Sequence, residues 1–327
     1  MPPSNLPILA LALCLQIVRS YALCFERIHA ARFLSANASS RDKKSFSSVL
    51  KAFHTEIAPE LEPAWITQVN RWVTLALGDN DNDDGQDDGG TNKEENEKAE
   101  TYSKLNRYAR AMDLANDLQH TTSPHELVYG ELSIPVLAKI LDAVGVQQEE
   151  RFLDIGSGDG ALVMGAQLLY PKHIVCADGL ELVPGLVGRS EQHLQELRKI
   201  LALEAPQHEE LLPLLDQIQF ATGNIYKPRD DSRLSARLQE TTLAVCFATT
   251  WSALNNQDED SSSRTSLGGR ELARLSSALM VFPRGARVVI VDGKLRESDG
   301  YRWEGDLRVD CPDTAPYSIA SLYSRKP

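Results

Sequence analysis

The sequence has no long hydrophobic run, no dense block of lysine and arginine, and no closely spaced cysteine pair. Each absence removes a class of protein. Crossing a bilayer as a helix takes about 20 mostly apolar residues. The longest candidate, Ile8 to Val18, is shorter and carries Gln16, so no transmembrane segment is expected in the mature chain. General nucleic-acid binding needs clustered cations to neutralise phosphates, whereas this chain of 327 residues has a formal net charge of −12. The five cysteines, Cys14, Cys24, Cys176, Cys246 and Cys311, are too scattered for a zinc site or a disulfide scaffold, and read as reduced core thiols. Calcium is excluded on similar grounds. Asn80, Asn82, Asp84 and Gly85 fall at positions one, three, five and six of an EF-hand loop, but position twelve is Thr91 where the bidentate glutamate belongs.

The N-terminal third reads as three pieces. Residues 1–22 have the form of a secretory signal peptide, with an apolar run and the small residues Ser20 and Ala22 placed for a cut after Ala22. Residues 23–51 are rich in Ser, Arg and Lys with few acids, like an organellar transit segment, and Phe25 close behind the cut resembles the two-part presequence of plastids reached through the secretory route. The alternatives are ordinary secretion and a disordered N-terminus. Residues 52–122 are expected to be a helical region. Trp65, Val69, Trp72, Val73 and Ala76 recur at three- and four-residue spacing before Gly78, and the spacing resumes at Tyr102, Leu105, Ala109 and Met112. Between them, 79–98 is an acidic, Asn- and Gly-rich insert that cannot bury a core and reads as a surface loop.

Residues 123–327 read as one domain. Ser123-Pro124-His125-Glu126 is a capped helix start, and a second helix runs from about Ser133, with Leu137, Ile140, Leu141 and Val144 on one face and Gly145 as its stop. Then comes the stretch that organises the domain, Arg151-Phe152-Leu153-Asp154-Ile155-Gly156-Ser157-Gly158-Asp159-Gly160. An apolar run collapsing into alternating glycines reads as a buried strand turning into a helix, Ala161 to Tyr170, whose N-terminal amides face a ligand. His173 to Ala177, closed by Gly179-Leu180-Glu181, reads as a second strand, before a helix carrying Leu194, Leu197 and Leu201. Gln219 to Ile225, Leu243 to Ala248 and Arg287 to Gly293 supply three more strands, and Asp306 to Cys311 with Tyr317 to Tyr323 a closing antiparallel pair. Strands alternating with helices and ending in a hairpin predict an α/β, Rossmann-like, seven-stranded methyltransferase sheet behind an N-terminal helical region.

Charge separates the ligands such a turn can hold. Gly156-x-Gly158-x-x-Ala161 also satisfies the dinucleotide fingerprint. Asp154, however, stands at the strand end, where its carboxylate would repel a pyrophosphate and attract a cation. S-adenosylmethionine carries a sulfonium and an ammonium, so the methyl donor is favoured. Glu181, at the end of the second strand, is placed to accept from the ribose hydroxyls, the alternative being a charge at a helix N-terminus. Asn224 can pair with an adenine edge.

Taken in chain order, Ser123-Pro124, Val128-Tyr129-Gly130-Glu131, the Asp154 to Gly158 turn, Gly179-Leu180-Glu181 and Val245 to Trp251 resemble the Dot-one type histone lysine methyltransferases, a non-SET family acting on the nucleosome core. The resemblance spans about residues 123–292. It implies that Tyr129 and Glu131 close over the methionine end of S-adenosylmethionine, that Asp154, Gly156 and Gly158 form its amino-acid pocket, and that Glu181 holds the ribose and Asn224 the adenine. It also implies that Thr249, Thr250 and Trp251 line the acceptor channel. The family carries paired asparagines followed by phenylalanine there, threonine at Leu132 and glutamine at Ala161. A threonine hydroxyl is shorter than a carboxamide and differently aimed, so these departures bear on the acceptor and leave donor binding in place.

The expected activity is methyl transfer to a protein lysine or other side chain. The alternatives are a small-molecule methyltransferase and a catalytically silent donor-binding scaffold. A nucleosome partner is implied by the resemblance but opposed by the acidic charge. The N-terminus directs the chain to the secretory route or plastid, whereas activity on histones would require the nucleus. A fluorescent fusion carrying residues 1–51 is expected to enter the endomembrane or plastid route; cytosolic or nuclear fluorescence would refute that reading.

Overall fold

The computed structural model describes residues 58–78, 132–204, 206–228, 231–248, 270–309 and 317–327. The expected signal and transit segments, the insert 79–98, the Tyr102 to Met112 helix and the Ser123 cap lie outside the described residues. So do Tyr129, Glu131, Thr249, Thr250 and Trp251.

Seven strands make the central sheet: β1 (Glu150–Ile155), β2 (Ile174–Glu181), β3 (Ile218–Thr222), β4 (Leu243–Phe247), β5 (Arg287–Val291), β6 (Tyr301–Val309) and β7 (Ser318–Arg325). They lie in the order β3-β2-β1-β4-β5-β7-β6. The first five run parallel, and β7 is antiparallel to both β5 and β6. Parallel strands need helical crossovers, which cover both faces, and this is why β4 and β5 read as nearly continuous apolar runs. The fold is the expected Rossmann-like α/β sheet.

One face is covered by α1 (Pro63–Ala76), α2 (Ile134–Val144), α3 (Ala161–Leu169) and α4 (Pro184–Glu204), whose apolar residues share a core with Phe152, Ala177 and Val245. In α1 the face is Val69, Trp72, Val73 and Ala76, the spacing seen in the sequence. The other face carries α5 (Ser232–Glu240) and α6 (Ala273–Ala278), packed on Leu153, Ile155, Val288 and Ile290. Gly145 ends α2 in the left-handed conformation, at φ 71°. Asp231 caps α5, its Oδ1 accepting from Arg233 N at 2.8 Å and Leu234 N at 3.2 Å.

Several boundaries differ from the sequence reading. Glu181 ends β2 as expected, and the strand runs unbroken through Gly179 because those residues pair with β3 as far as Thr222. Beyond Thr222 the chain leaves the sheet, so Asn224 sits in the following loop. The hairpin starts at Tyr301, earlier than Asp306, with a register shift between Trp303 and Gly305. A 3₁₀ segment, Pro206–Gln217, containing Pro213, joins α4 to β3.

At the strand ends opposite the glycine turn, a buried ion pair ties the sheet to α2. The Arg287 guanidinium donates to Glu150 Oε1, to the Val144 carbonyl at 3.2 Å and to the Gly145 carbonyl at 2.6 Å. Thr242 Oγ1 donates to Glu150 Oε2 at 2.8 Å and accepts from Arg151 N at 2.9 Å. A cation suits the carbonyl end of a helix. Burial pulls the Arg287 pKa down, and Glu150 works against that shift. Removing one partner leaves the other's charge uncompensated, since Glu150 is only 3% exposed. Arg287→Ala is therefore expected to cost roughly 3–5 kcal/mol of folding stability. Urea unfolding monitored by circular dichroism checks this, and a loss below about 1 kcal/mol would contradict the tie's importance.

Candidate functional site

The chain enters the sheet at β1, winds outward to the edge at β3 and returns to β4 on the other side of β1. The reversal leaves a crevice at the carboxyl ends of β1 and β4, where open α/β sheets bind ligands. The glycine turn lies at this crevice. Gly156, Gly158 and Gly160 have φ of 80°, 53° and 84°, a left-handed backbone that residues with a Cβ rarely adopt. Gly156 N and Ser157 N both donate to the Leu180 carbonyl, at 2.8 and 3.1 Å, and Gly160 N closes on the Ser157 carbonyl at 2.8 Å. Gly160 is then the N-cap of α3.

Two of the glycines make room for a ring rather than for a ligand. A Cβ built on Gly160 would meet the Phe220 ring at 2.7 Å, and one on Gly179 would meet it at 2.6 Å. Phe220, from β3, thus packs the turn against the sheet. The sequence reading missed it because a half-buried edge-strand phenylalanine has no local signature.

Asp154 is 2% exposed, more deeply buried than a strand-end residue was expected to be. Burial, reinforced by the Glu181 charge, pushes its carboxyl from the usual 3.8 up to about 8. Glu181 is also buried. Its Oε2 accepts from Gly158 N at 3.0 Å and its Oε1 from Val183 N at 3.0 Å. Burial raises its pKa, these amides lower it, and the Asp159 charge raises it again. The structure therefore brings Asp154, Gly156, Gly158 and Glu181 together around one turn. Asn224 follows β3, with Oδ1 accepting from Tyr226 N at 2.9 Å. Ser157, which the sequence reading left without a role, buries its hydroxyl here with no hydrogen-bond partner among the described residues. Among the described residues, no group of His, Cys, Asp and Glu is arranged to hold a metal ion.

Residues 108–211 match a family model described as Histone methylation protein DOT1. The matched stretch contains Tyr129, Glu131, the turn and Glu181, and ends before Asn224 and Thr249. No curated protein matches the sequence. Among solved structures, TrmN from Thermus thermophilus is 15% identical with a TM-score of 0.37; the alignment covers 62% of this chain and 52% of TrmN, so the chain spans about half of that protein. TrmK from M. capricolum, in complex with S-adenosyl-homocysteine, is 10% identical with a TM-score of 0.35, over 60% of this chain and 70% of that one. A mutant of MtNAS in complex with S-adenosylmethionine is 13% identical with a TM-score of 0.38, over 81% of this chain and 99% of that one. Likenesses this distant add nothing to the topology.

The environment of Asp154 has a measurable consequence. A carboxyl whose pKa is higher folded than unfolded favours the fold below its unfolded pKa, and that contribution is lost as pH rises toward the folded value. With 3.8 as the ordinary value and about 8 in the fold, the ligand-free protein is expected to lose stability between those limits. Asp154→Asn should remove most of that loss. Urea unfolding of both proteins at about pH 5 and pH 8 tests this; parallel losses would show that Asp154 is not the titrating group.

Proposed function

We propose that this chain is an S-adenosylmethionine-dependent methyltransferase whose acceptor is a protein side chain, with lysine the first candidate. The observation that carries the reading is the buried Asp154 carboxylate, which faces Glu181 across the turn with no cation among the described residues to offset it. A dinucleotide would bring a pyrophosphate to two buried acids. A ligand with a positively charged end would instead supply the missing counter-charge, and this decides between the two uses of the glycine pattern.

The residues present fit that donor. Asp154 would hold its ammonium. Glu181 accepts backbone amides on both oxygens, with the Leu182 amide also favouring its charge, and its remaining acceptor capacity can take a ribose hydroxyl. Since Asn224 Oδ1 is committed to Tyr226 N, its NH₂ is the end that can donate to an adenine ring nitrogen. When bound, the donor supplies an electrophilic methyl group on sulfur. The chain's own work is to orient it and exclude water. The match to the histone methylation family supports a protein acceptor. The acidic chain, with its −12 net charge, argues against a nucleosome and suits a cationic protein segment. The N-terminal 51 residues support delivery to the secretory route or plastid. The threonine pair in place of asparagines favours a second reading, a small-molecule acceptor.

Calorimetric titration with S-adenosylmethionine is expected to show binding. Asp154→Ala should weaken it roughly ten- to a hundredfold, on the order of 1.5–3 kcal/mol for a lost charge-assisted hydrogen bond, with circular dichroism unchanged. A dinucleotide site would respond in the opposite sense, with binding unchanged or tighter. Radiolabelled methyl groups should then pass into protein in a cell extract. Label confined to small molecules would move the acceptor class, and donor binding without any transfer would identify a silent scaffold.

A further inference from the structure

The middle of the glycine turn does not hold itself. The backbone bonds of Gly156, Ser157 and Gly160 fix its two ends, but the Gly158–Asp159 peptide between them relies on side chains from elsewhere. Glu181 takes the Gly158 amide. Three further contacts to this stretch come from one face of α4. Arg189 Nη2 donates to Asp159 Oδ2 at 2.9 Å, Ser190 Oγ donates to the Gly158 carbonyl at 2.9 Å, and His193 Nδ1 lies 3.2 Å from the Asp159 carbonyl oxygen. Positions 189, 190 and 193 share one helix face. The ion pair is well covered, with the Asp159 side chain 1% and the Arg189 side chain 16% exposed. Ser190 is fully buried.

We infer that Arg189 is a positioning residue for the methyl donor, acting through Asp159 to hold the turn in the shape that receives it. The inference rests on the donor-binding reading above. A segment with three left-handed glycines has much conformational freedom to lose, so its bound shape must be enforced by neighbours. Removing Arg189 takes its cation from the buried Asp159 carboxylate, whose charge already acts on Glu181. The cheapest relief is for residue 159 to swing toward water, which carries the Gly158 peptide with it and releases the amide that Glu181 holds. Donor affinity would fall although Arg189 never touches the donor. A lysine in its place keeps the charge but not the guanidinium fork, so it should restore most of the effect and not all.

The test uses the full chain with Arg189→Ala, Arg189→Lys, Asp159→Asn and the Arg189→Ala/Asp159→Asn double variant. Two quantities are read: the Kd for S-adenosylmethionine, and hydrogen exchange of the ligand-free peptide covering residues 154–161. Arg189→Ala is expected to weaken donor binding about tenfold and to speed exchange in that peptide, with β5 and β7 unchanged. Arg189→Lys should recover most of the affinity. The double variant should be no weaker than Arg189→Ala alone, because both changes act through one contact. Donor affinity within twofold of wild type, additive losses in the double variant, or faster exchange across the whole sheet would each overturn the inference. If Arg189→Ala does not fold, Arg189→Lys and Asp159→Asn carry the same comparison. If the wild type binds no donor, the functional reading fails on its own, and exchange alone decides. An increase confined to 154–161 then upholds the hold of Arg189 on the turn, and no increase overturns it.

Discussion

Two amides, those of Gly156 and Ser157, share the Leu180 carbonyl, and the next amide, that of Gly158, closes on the Glu181 carboxylate. This hook of turn onto strand end fixes where everything else at the site can be. The parallel register pairs Ile155 with Leu180 and Asp154 with Gly179, so the end of β1 cannot slide relative to the end of β2 without breaking the hook. Asp154 is thereby held beside Glu181. The bare Cα of Gly179 lets the Phe220 ring reach the turn, which brings β3 into the same arrangement.

The hook also concentrates negative charge. Asp154, Asp159 and Glu181 are all buried at one turn, and Arg189 pairs with Asp159 at 2.9 Å. It neutralises Asp159 and leaves the other two. A buried carboxylate without a counter-charge costs stability, and Asp154 answers by holding its proton up to about pH 8. Packing that only had to be stable would place an apolar residue there. An arrangement that tolerates the cost is one where a cationic ligand completes the charge balance, and such local conflicts with folding rules are found at functional sites.

Much of the fold was legible because parallel strands covered on both faces are written as short apolar runs. Phe152-Leu153-Asp154-Ile155, Leu243 to Phe247 and Arg287 to Val291 could be found for that reason. The glycine turn and Asp154 were legible too, since left-handed backbone and a charged residue within an apolar run are both rare. What escaped was whatever depends on contacts between distant segments. Arg287 and Glu150 are 137 positions apart, and Arg189 and Asp159 are 30 apart; no local pattern marks either pair. The helix α5 has a capping aspartate, Asp231, but only Leu234 and Leu238 face the core, too few for the period to stand out. Asp154 itself was placed correctly along the chain yet underestimated in depth. Its burial is set by what packs over the strand end, and that comes from outside the strand.

The topology also explains how the donor and acceptor sides can diverge in one chain. The doubly wound order places the ends of β1, β2 and β3 on one side of the crevice and the ends of β4 and β5 on the other. Residues that fit the donor, Asp154, Glu181 and Asn224, all belong to the first side. The ends of β4 and β5, at Phe247 and Val291, belong to the second. The hook is made within the first side, since the Gly156, Ser157 and Gly158 amides bond to Leu180 and Glu181 of β2. The family match, over residues 108–211, includes the turn, β1 and β2 and ends before β3 and β4. Likeness there constrains the ligand held at the turn, and the acceptor is set by chemistry beyond it.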